Sequence, residues 1–301
     1  MSARRGLFSV RGGGRRDRMR ENGARPSGPE NHQRTGNTMS KIRVTIWNEN
    51  IHEKQEGAWA DLIRSFYPNG IHNALAEGLA ADDLEIRAVS LDMPEQGLPQ
   101  DLLENTDVLF WWGHCGHDKV EDALVDRIQK RVLEGMGLVV LHSGHYSKIF
   151  RRMLGTHCSL RWRECGEKER VWVVDKDHPI AQGVPDSFVI PHTEMYGEPF
   201  GIPPEAHVVF ISWYEGGNVF RSGVTFQRGQ GKIFYFSPGH ETFPIYRQPE
   251  VLKVLGNAAR WAAQTLPNAK TDCWNQDPPP EKVYSENPME KIDTSSLHKK
   301  A

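Results

Sequence analysis

Seven of the thirteen histidines in this 301-residue chain lie in five short segments, each directly after a run that suits a β-strand. His52 falls in Asn48-Glu49-Asn50-Ile51-His52-Glu53, and His114 and His117 in Gly113-His114-Cys115-Gly116-His117-Asp118. His142 and His145 share His142-Ser143-Gly144-His145-Tyr146, His192 opens His192-Thr193-Glu194-Met195-Tyr196-Gly197-Glu198, and His240 sits in Ser237-Pro238-Gly239-His240-Glu241. Imidazole is both a usual zinc ligand and the general acid or base whose ordinary pKa lies nearest neutrality. A neighbouring carboxylate can orient the ring, complete a metal shell or move a proton. Gly113, Gly116, Gly144 and Gly239 permit sharp turns where backbone amides can face an anion or a sugar oxygen. Aromatic residues near the same ends, Tyr146 and Tyr196 among them, would suit stacking on a carbohydrate face.

Spacing alone leaves alternatives open. A lone loop histidine is usually a surface or capping residue, and a His-x-x-His pair in a loop need not share a direction. The Trp111-Trp112 pair suits a core as well as a ligand platform. No HExxH or facial-triad spacing fixes a metal, so a divalent cation such as zinc stands beside a metal-free reading. Ser143 follows an apolar strand and precedes a helix, as a nucleophile elbow does, but Leu141 occupies the first glycine position of G-x-S-x-G. The alternative is that Ser143 caps or contacts a ligand.

The elements that must position these residues alternate. Arg43–Asn48, Leu84–Val89, Asp107–Gly113 and Gly137–Leu141 read as strands, the last two continuous apolar runs once past Asp107, as strands buried on both faces are. Helical patterns cover Ala58 to Asp82, interrupted at Pro68-Asn69-Gly70, then Val120 to Leu133 and Tyr146 to Leu154. This order predicts an α/β fold: a doubly wound, mostly parallel sheet, whose ligands bind outside the carboxyl ends of the strands. The second half adds strand-like runs at Arg170–Asp175, Phe188–Pro191, His207–Tyr214, Arg221–Arg228 and Lys232–Ser237, mostly turn-connected, and a closing helix from Pro249 to Ala263.

Composition sets the class. With 38% hydrophobic and 25% charged residues and a formal net charge of −2, the chain reads as a soluble globular protein with no basic face for nucleic acid. No window reaches the ~18 apolar residues a membrane span needs. Residues 1–38 hold nine Arg, no Lys and three acids, a net +6 that leaves −8 for the remainder. This Arg/Gly-rich stretch reads as a disordered extension, or a misread start before Met39, with a transit peptide and a nucleic-acid tail as alternatives. Residues 265–301, with Pro278-Pro279-Pro280, read as an extended tail. Cys115, Cys158, Cys165 and Cys273 lack zinc-ribbon spacing and predict free thiols in a reducing cytoplasm.

Several of these segments carry a resemblance. Trp47-Asn48-Glu49-Asn50-Ile51-His52-Glu53, Trp111-Trp112-Gly113-His114, Leu141-His142-Ser143-Gly144-His145, Glu194-Met195-Tyr196-Gly197-Glu198-Pro199-Phe200, Phe220-Arg221-Ser222-Gly223 and Phe234-Tyr235-Phe236-Ser237-Pro238-Gly239-His240-Glu241 resemble the ThuA (trehalose utilisation) family over roughly residues 41–264. The resemblance implies a flavodoxin-like sheet of the class I glutamine-amidotransferase superfamily. It places Ser143 where amidotransferases carry a cysteine nucleophile and His240-Glu241 as the partner pair, which argues against glutamine hydrolysis. It also implies catabolism of trehalose or related disaccharides beside an NAD-dependent oxidoreductase that forms 3-keto sugars. No strand is followed by GxGxxG and no P-loop is present, which directs NAD chemistry to that partner. Family analogy further implies a homodimer.

The strand-end cluster and the resemblance together lead us to expect a carbohydrate-processing enzyme. His145, His240, Glu241 and Ser143 are its catalytic candidates. His52, Glu53, Trp112, Tyr146, Glu194 and Tyr196 are expected to bind substrate, and His114, His117, His142 and His192 to hold any metal. Two alternatives remain: a non-catalytic sugar-binding or accessory subunit of the oxidoreductase, and a serine hydrolase-like enzyme using Ser143.

Overall fold

A computed structural model describes residues 40–263. The expectations for residues 1–38 and 265–301, Cys273 included, lie outside the described residues. The β-branched and aromatic run Val44-Thr45-Ile46-Trp47 forms β1 (Ile42–Asn48). The predicted first helix is two, α1 (Ala58–Phe66) and α2 (Ile71–Gly78), because Pro68 and Gly70 interrupt it. Then follow β2 (Leu84–Ser90), α3 (Gln100–Glu104), β3 (Val108–Trp112), α4 (Asp122–Leu133), β4 (Gly137–Leu141) and α5 (Lys148–Leu154). β5 (Arg161–Val173), β6 (Ser187–Gly197), β7 (His207–Tyr214), β8 (Val219–Arg228), β9 (Gly231–Phe236) and α6 (Pro249–Ala262) complete the described chain.

The strands form one mixed sheet in the order β2-β1-β3-β4-β9-β8-β7-β5-β6. The first five are parallel and repeat the flavodoxin-like order, with β9 as the fifth strand; from β9 to β6 every pairing is antiparallel. Alternation along β3 sends Val108, Phe110 and Trp112 into the core under α1, α2 and α6, and Leu109 and Trp111 into the core under α3, α4 and α5. Helices on both faces explain why β3 and β4 read as unbroken apolar runs. The adjacent parallel strands β1, β3, β4 and β9 therefore discharge their following segments along one edge of the sheet.

The second half differs from the expected boundaries. β5 begins at Arg161, nine residues before the predicted strand, and β6 continues past Pro191 to Gly197. The β5 extension is largely polar and the β6 extension mixes polar with apolar residues without alternation, so the period did not mark either. His192, Glu194 and Tyr196 thus lie on a strand rather than in a loop after it. Register shifts between Arg163 and Glu169 interrupt the β5–β6 ladder, and irregularities of this kind bend a hairpin.

Candidate functional site

The segment after β4 is a 3-10 turn, His142–Tyr146, separate from α5. Ser147, whose side chain accepts from the Phe150 amide, caps α5, so Ser143 is not its cap. The residue at the sharp bend is His142, with a φ of +47°, a left-handed conformation uncommon outside glycine. The elbow position expected at Ser143 therefore belongs to His142. The Ser143 hydroxyl donates to the Gly113 carbonyl at 3.0 Å. Among the described residues no imidazole hydrogen-bonds to it, so this arrangement lacks the base a serine nucleophile needs.

His142 is held on three sides. Its Nδ1–H donates to the Ser237 carbonyl at 2.7 Å, its Nε2 lies 3.1 Å from Glu194 Oε2, and its ring stacks on Tyr196. A neutral ring that donates through Nδ1 presents a lone pair at Nε2. His240 approaches the same carboxylate, with Nε2 3.9 Å from Glu194 Oε2, 3.8 Å from Glu241 Oε2 and 3.5 Å from Glu164 Oε1. Burial pushes His240 down to about 4 and the nearby His142 adds to this, against the opposing Glu241. On the other side, His52 Nδ1 and His114 Nδ1 converge on Glu241 Oε1 at 2.8 and 3.1 Å. Burial would raise the Glu241 carboxyl, but the adjacent His114 and His52 imidazoles hold it well below the ordinary range. Two sets of three potential ligands result, His52/His114/Glu241 and His142/Glu194/His240; within each, the donor atoms lie within 4.8 Å of one another.

Beside these sets a cleft of about 400 Å³ is lined in part by His114, Ser143, His145, Trp162, Glu164 and Glu194. His145 Nδ1–H donates to the Cys158 carbonyl at 2.7 Å, which leaves its Nε2 unprotonated when neutral; burial pushes this imidazole down to about 4. Tyr146 and His117 also line the cleft, their rings tilted against each other with centroids 6.2 Å apart. Trp162 is 65% exposed at the rim.

The expected assignments are redistributed. His114 and His142 belong to different ligand sets. His117 joins neither, and His192 is exposed, with its Nδ1 3.0 Å from the Gly166 carbonyl. Glu53 is buried and accepts from Asn48 Nδ2 and the Ile71 amide, so it ties the end of β1 to α2 instead of meeting substrate. Trp112 is fully buried and donates to the Gly239 carbonyl, a core role. His52 and Glu194, expected on substrate, are potential metal ligands. Tyr196 lines the cleft but stacks on His142.

Three residues escaped sequence reading. Glu49 accepts from the Cys115 and Gly116 amides at 2.8 and 2.9 Å and shapes the segment that carries His114. Its place beside His52 was the one available signal. Glu164 and Trp162 sit in the unrecognised start of β5 and gave none.

A doubly wound α/β sheet with a His/Glu cleft at the carboxyl edge of its parallel strands places the protein in the open-sheet α/β class, whose ligand sites lie at that edge. The sequence matches the ThuA family, described as trehalose utilisation, over residues 43–262, and the chain belongs to that family. A ThuA-like protein from Bacteroides uniformis ATCC 8492 shares the fold with a TM-score of 0.53 and 16% identity, over 76% of this chain and 95% of its own. Another from Parabacteroides merdae ATCC 43184 gives 0.52 and 15%, over 79% and 94%. A cytoplasmic protein from Salmonella typhimurium gives 0.50 and 18%, over 73% and 99%. At these identities the likeness is one of fold. No curated protein matches the sequence. No helix among the described residues is long and apolar enough to cross a membrane.

Proposed function

We propose that this chain is an enzyme of disaccharide utilisation that acts on a disaccharide or its 3-keto derivative by acid–base chemistry, assisted by a divalent cation. The observation that carries this reading is the pairing, along one cleft, of an imidazole whose free nitrogen can take a proton with a pole of clustered His and Glu side chains. In a 3-keto sugar the carbonyl acidifies the adjacent C–H. His145 Nε2 takes that proton, the C–H electron pair becomes a C=C bond, and the carbonyl π pair moves onto oxygen. A bound cation would supply Lewis-acid stabilisation of that oxygen. The enolate is common to isomerisation and elimination; burial lowers the His145 pKa to about 4, which keeps the ring unprotonated near neutral pH while weakening it as a base. Trp162 and Tyr146 offer aromatic faces to the sugar. An NAD-dependent oxidoreductase partner would generate the ketone.

The test is solvent deuterium exchange into a 3-keto-disaccharide, followed by NMR with the purified protein. Exchange is expected with the wild type and a loss of about 10²–10⁴-fold with His145→Gln. Equal exchange by that variant would remove His145 from the mechanism. Sugar binding without exchange or turnover would favour the non-catalytic accessory subunit.

A further inference from the structure

We propose that the cleft binds two first-row divalent cations side by side, one at His52, His114 and Glu241 and one at His142, Glu194 and His240, with the Glu241 carboxylate bridging them. The bridge follows from where its oxygens point. Oε1 meets His52 and His114 at 2.8 and 3.1 Å, whereas Oε2 faces His240 Nε2 at 3.8 Å. For comparison, ligand atoms about 2.05 Å from a tetrahedral zinc stand about 3.3 Å apart.

Unsatisfied polar atoms give an independent reason. His52 Nδ1, Glu194 Oε2 and Glu241 Oε2 are buried and lack an aligned hydrogen-bond partner. The Glu194 and Glu241 side chains are only 6% and 0% exposed. Orphaned buried groups of this kind are costly, most of all when charged. Among the described residues no Lys or Arg pairs with Glu164, Glu194 or Glu241, although all three surround His240. Cations would offset that charge. His142 is braced as ligands usually are, donating its other nitrogen to Ser237 O, and His240 is fixed through Nδ1, which meets Thr242 Oγ1 at 2.8 Å and accepts from the Thr242 amide at 3.3 Å. Each set offers two imidazoles and one carboxylate, a mixture suited to zinc, cobalt or manganese.

This centre deepens the cation part of the function proposed above, but its test uses no sugar. A chain that binds two cations yet exchanges no proton in a keto sugar loses only the sugar reading. Full-length protein is stripped with a chelator and titrated with Co(II), with bound metal counted by elemental analysis. Two equivalents per chain are expected, with spin-coupled EPR from the bridged pair. His52→Ala with His114→Ala should retain one equivalent, as should His142→Ala with Glu194→Gln. Glu241→Gln should weaken binding at both positions about tenfold to a hundredfold. One equivalent or none in the wild type overturns the proposal, as does a stoichiometry of two that survives either double variant. Should the variants fail to fold, as judged by circular dichroism, the wild-type count and spectrum decide: two uncoupled ions refute the bridge.

Discussion

The ring of His142 lies flat against that of Tyr196, with centroids 4.8 Å apart and planes within 5° of parallel. One residue follows a central parallel strand and the other ends the hairpin strand farthest from it in the sheet order. Their contact is how the antiparallel half reaches the mouth of the parallel half, and it sets the direction of His142 Nε2 toward Glu194. Tyr196→Ala should free that ring and weaken Co(II) binding about tenfold to a hundredfold by calorimetric titration, while Tyr196→Phe, which keeps the stack and removes only the hydroxyl 3.3 Å from His142 Nε2, should stay near wild type. Equal affinities for Ala and wild type would show that the stack does not orient the ligand.

Glu49 satisfies two backbone donors from within the protein. Glu49→Ala leaves them without partners and should lower stability by about 1–3 kcal/mol, read as a reduced urea midpoint at unchanged m-value. An unchanged midpoint would mean that water replaces the carboxylate without loss.

Glu169, on β5, is fully buried between Ser212 and Tyr214, which both donate to its Oε1, and burial raises its carboxyl from 4.5 to about 7. Below about pH 4.5 both folded and unfolded chains hold this proton. As pH rises from there to about 7 the unfolded chain releases it first, so this residue's contribution to stability is progressively lost, by about 3 kcal/mol in all. Glu169→Gln should flatten the stability profile across that window. An identical slope in wild type and variant would contradict the burial argument.

Gly239 has a φ of +150°, and a Cβ there would lie 1.9 Å from Tyr246 Oη. Gly239→Ala must displace that side chain or the segment that carries His240. Loss of about 2 kcal/mol or more in thermal unfolding is expected, with proton exchange on the keto sugar reduced in parallel. A fully active, equally stable variant would show that the segment can yield.

Trp162 stands at the cleft rim with most of its surface free. Its replacement by Ala should raise KM for the keto sugar about fivefold, near 1 kcal/mol, and leave kcat almost unchanged. A fall in kcat at constant KM would place Trp162 in the chemistry instead of in binding.

The doubly wound half was legible because its signals are local. Strands such as Phe110-Trp111-Trp112 and Leu138-Val139-Val140 must be apolar on both faces, so their ends, and the histidines that follow, can be counted off the chain. Motif spacing offered Ser143 as an elbow or a cap but does not reveal which residue takes the positive φ, and that residue is His142. The polar edge of the antiparallel half hid Glu164 and Trp162, since a strand with an open face need not alternate.

The amino-acid sequence by itself determined the α/β class, the family and the sheet edge at which the imidazoles collect, because burial periodicity and motif order are properties of neighbouring residues. Only the tertiary structure decided which of them meet. Glu194 on β6 reaches His142 and His240, His192 on the same strand is exposed, and Glu241 sets one oxygen toward His52 and His114 and the other toward His240. Those outcomes depend on rotamers and strand curvature that packing sets across distant parts of the chain, and no local spacing encodes them.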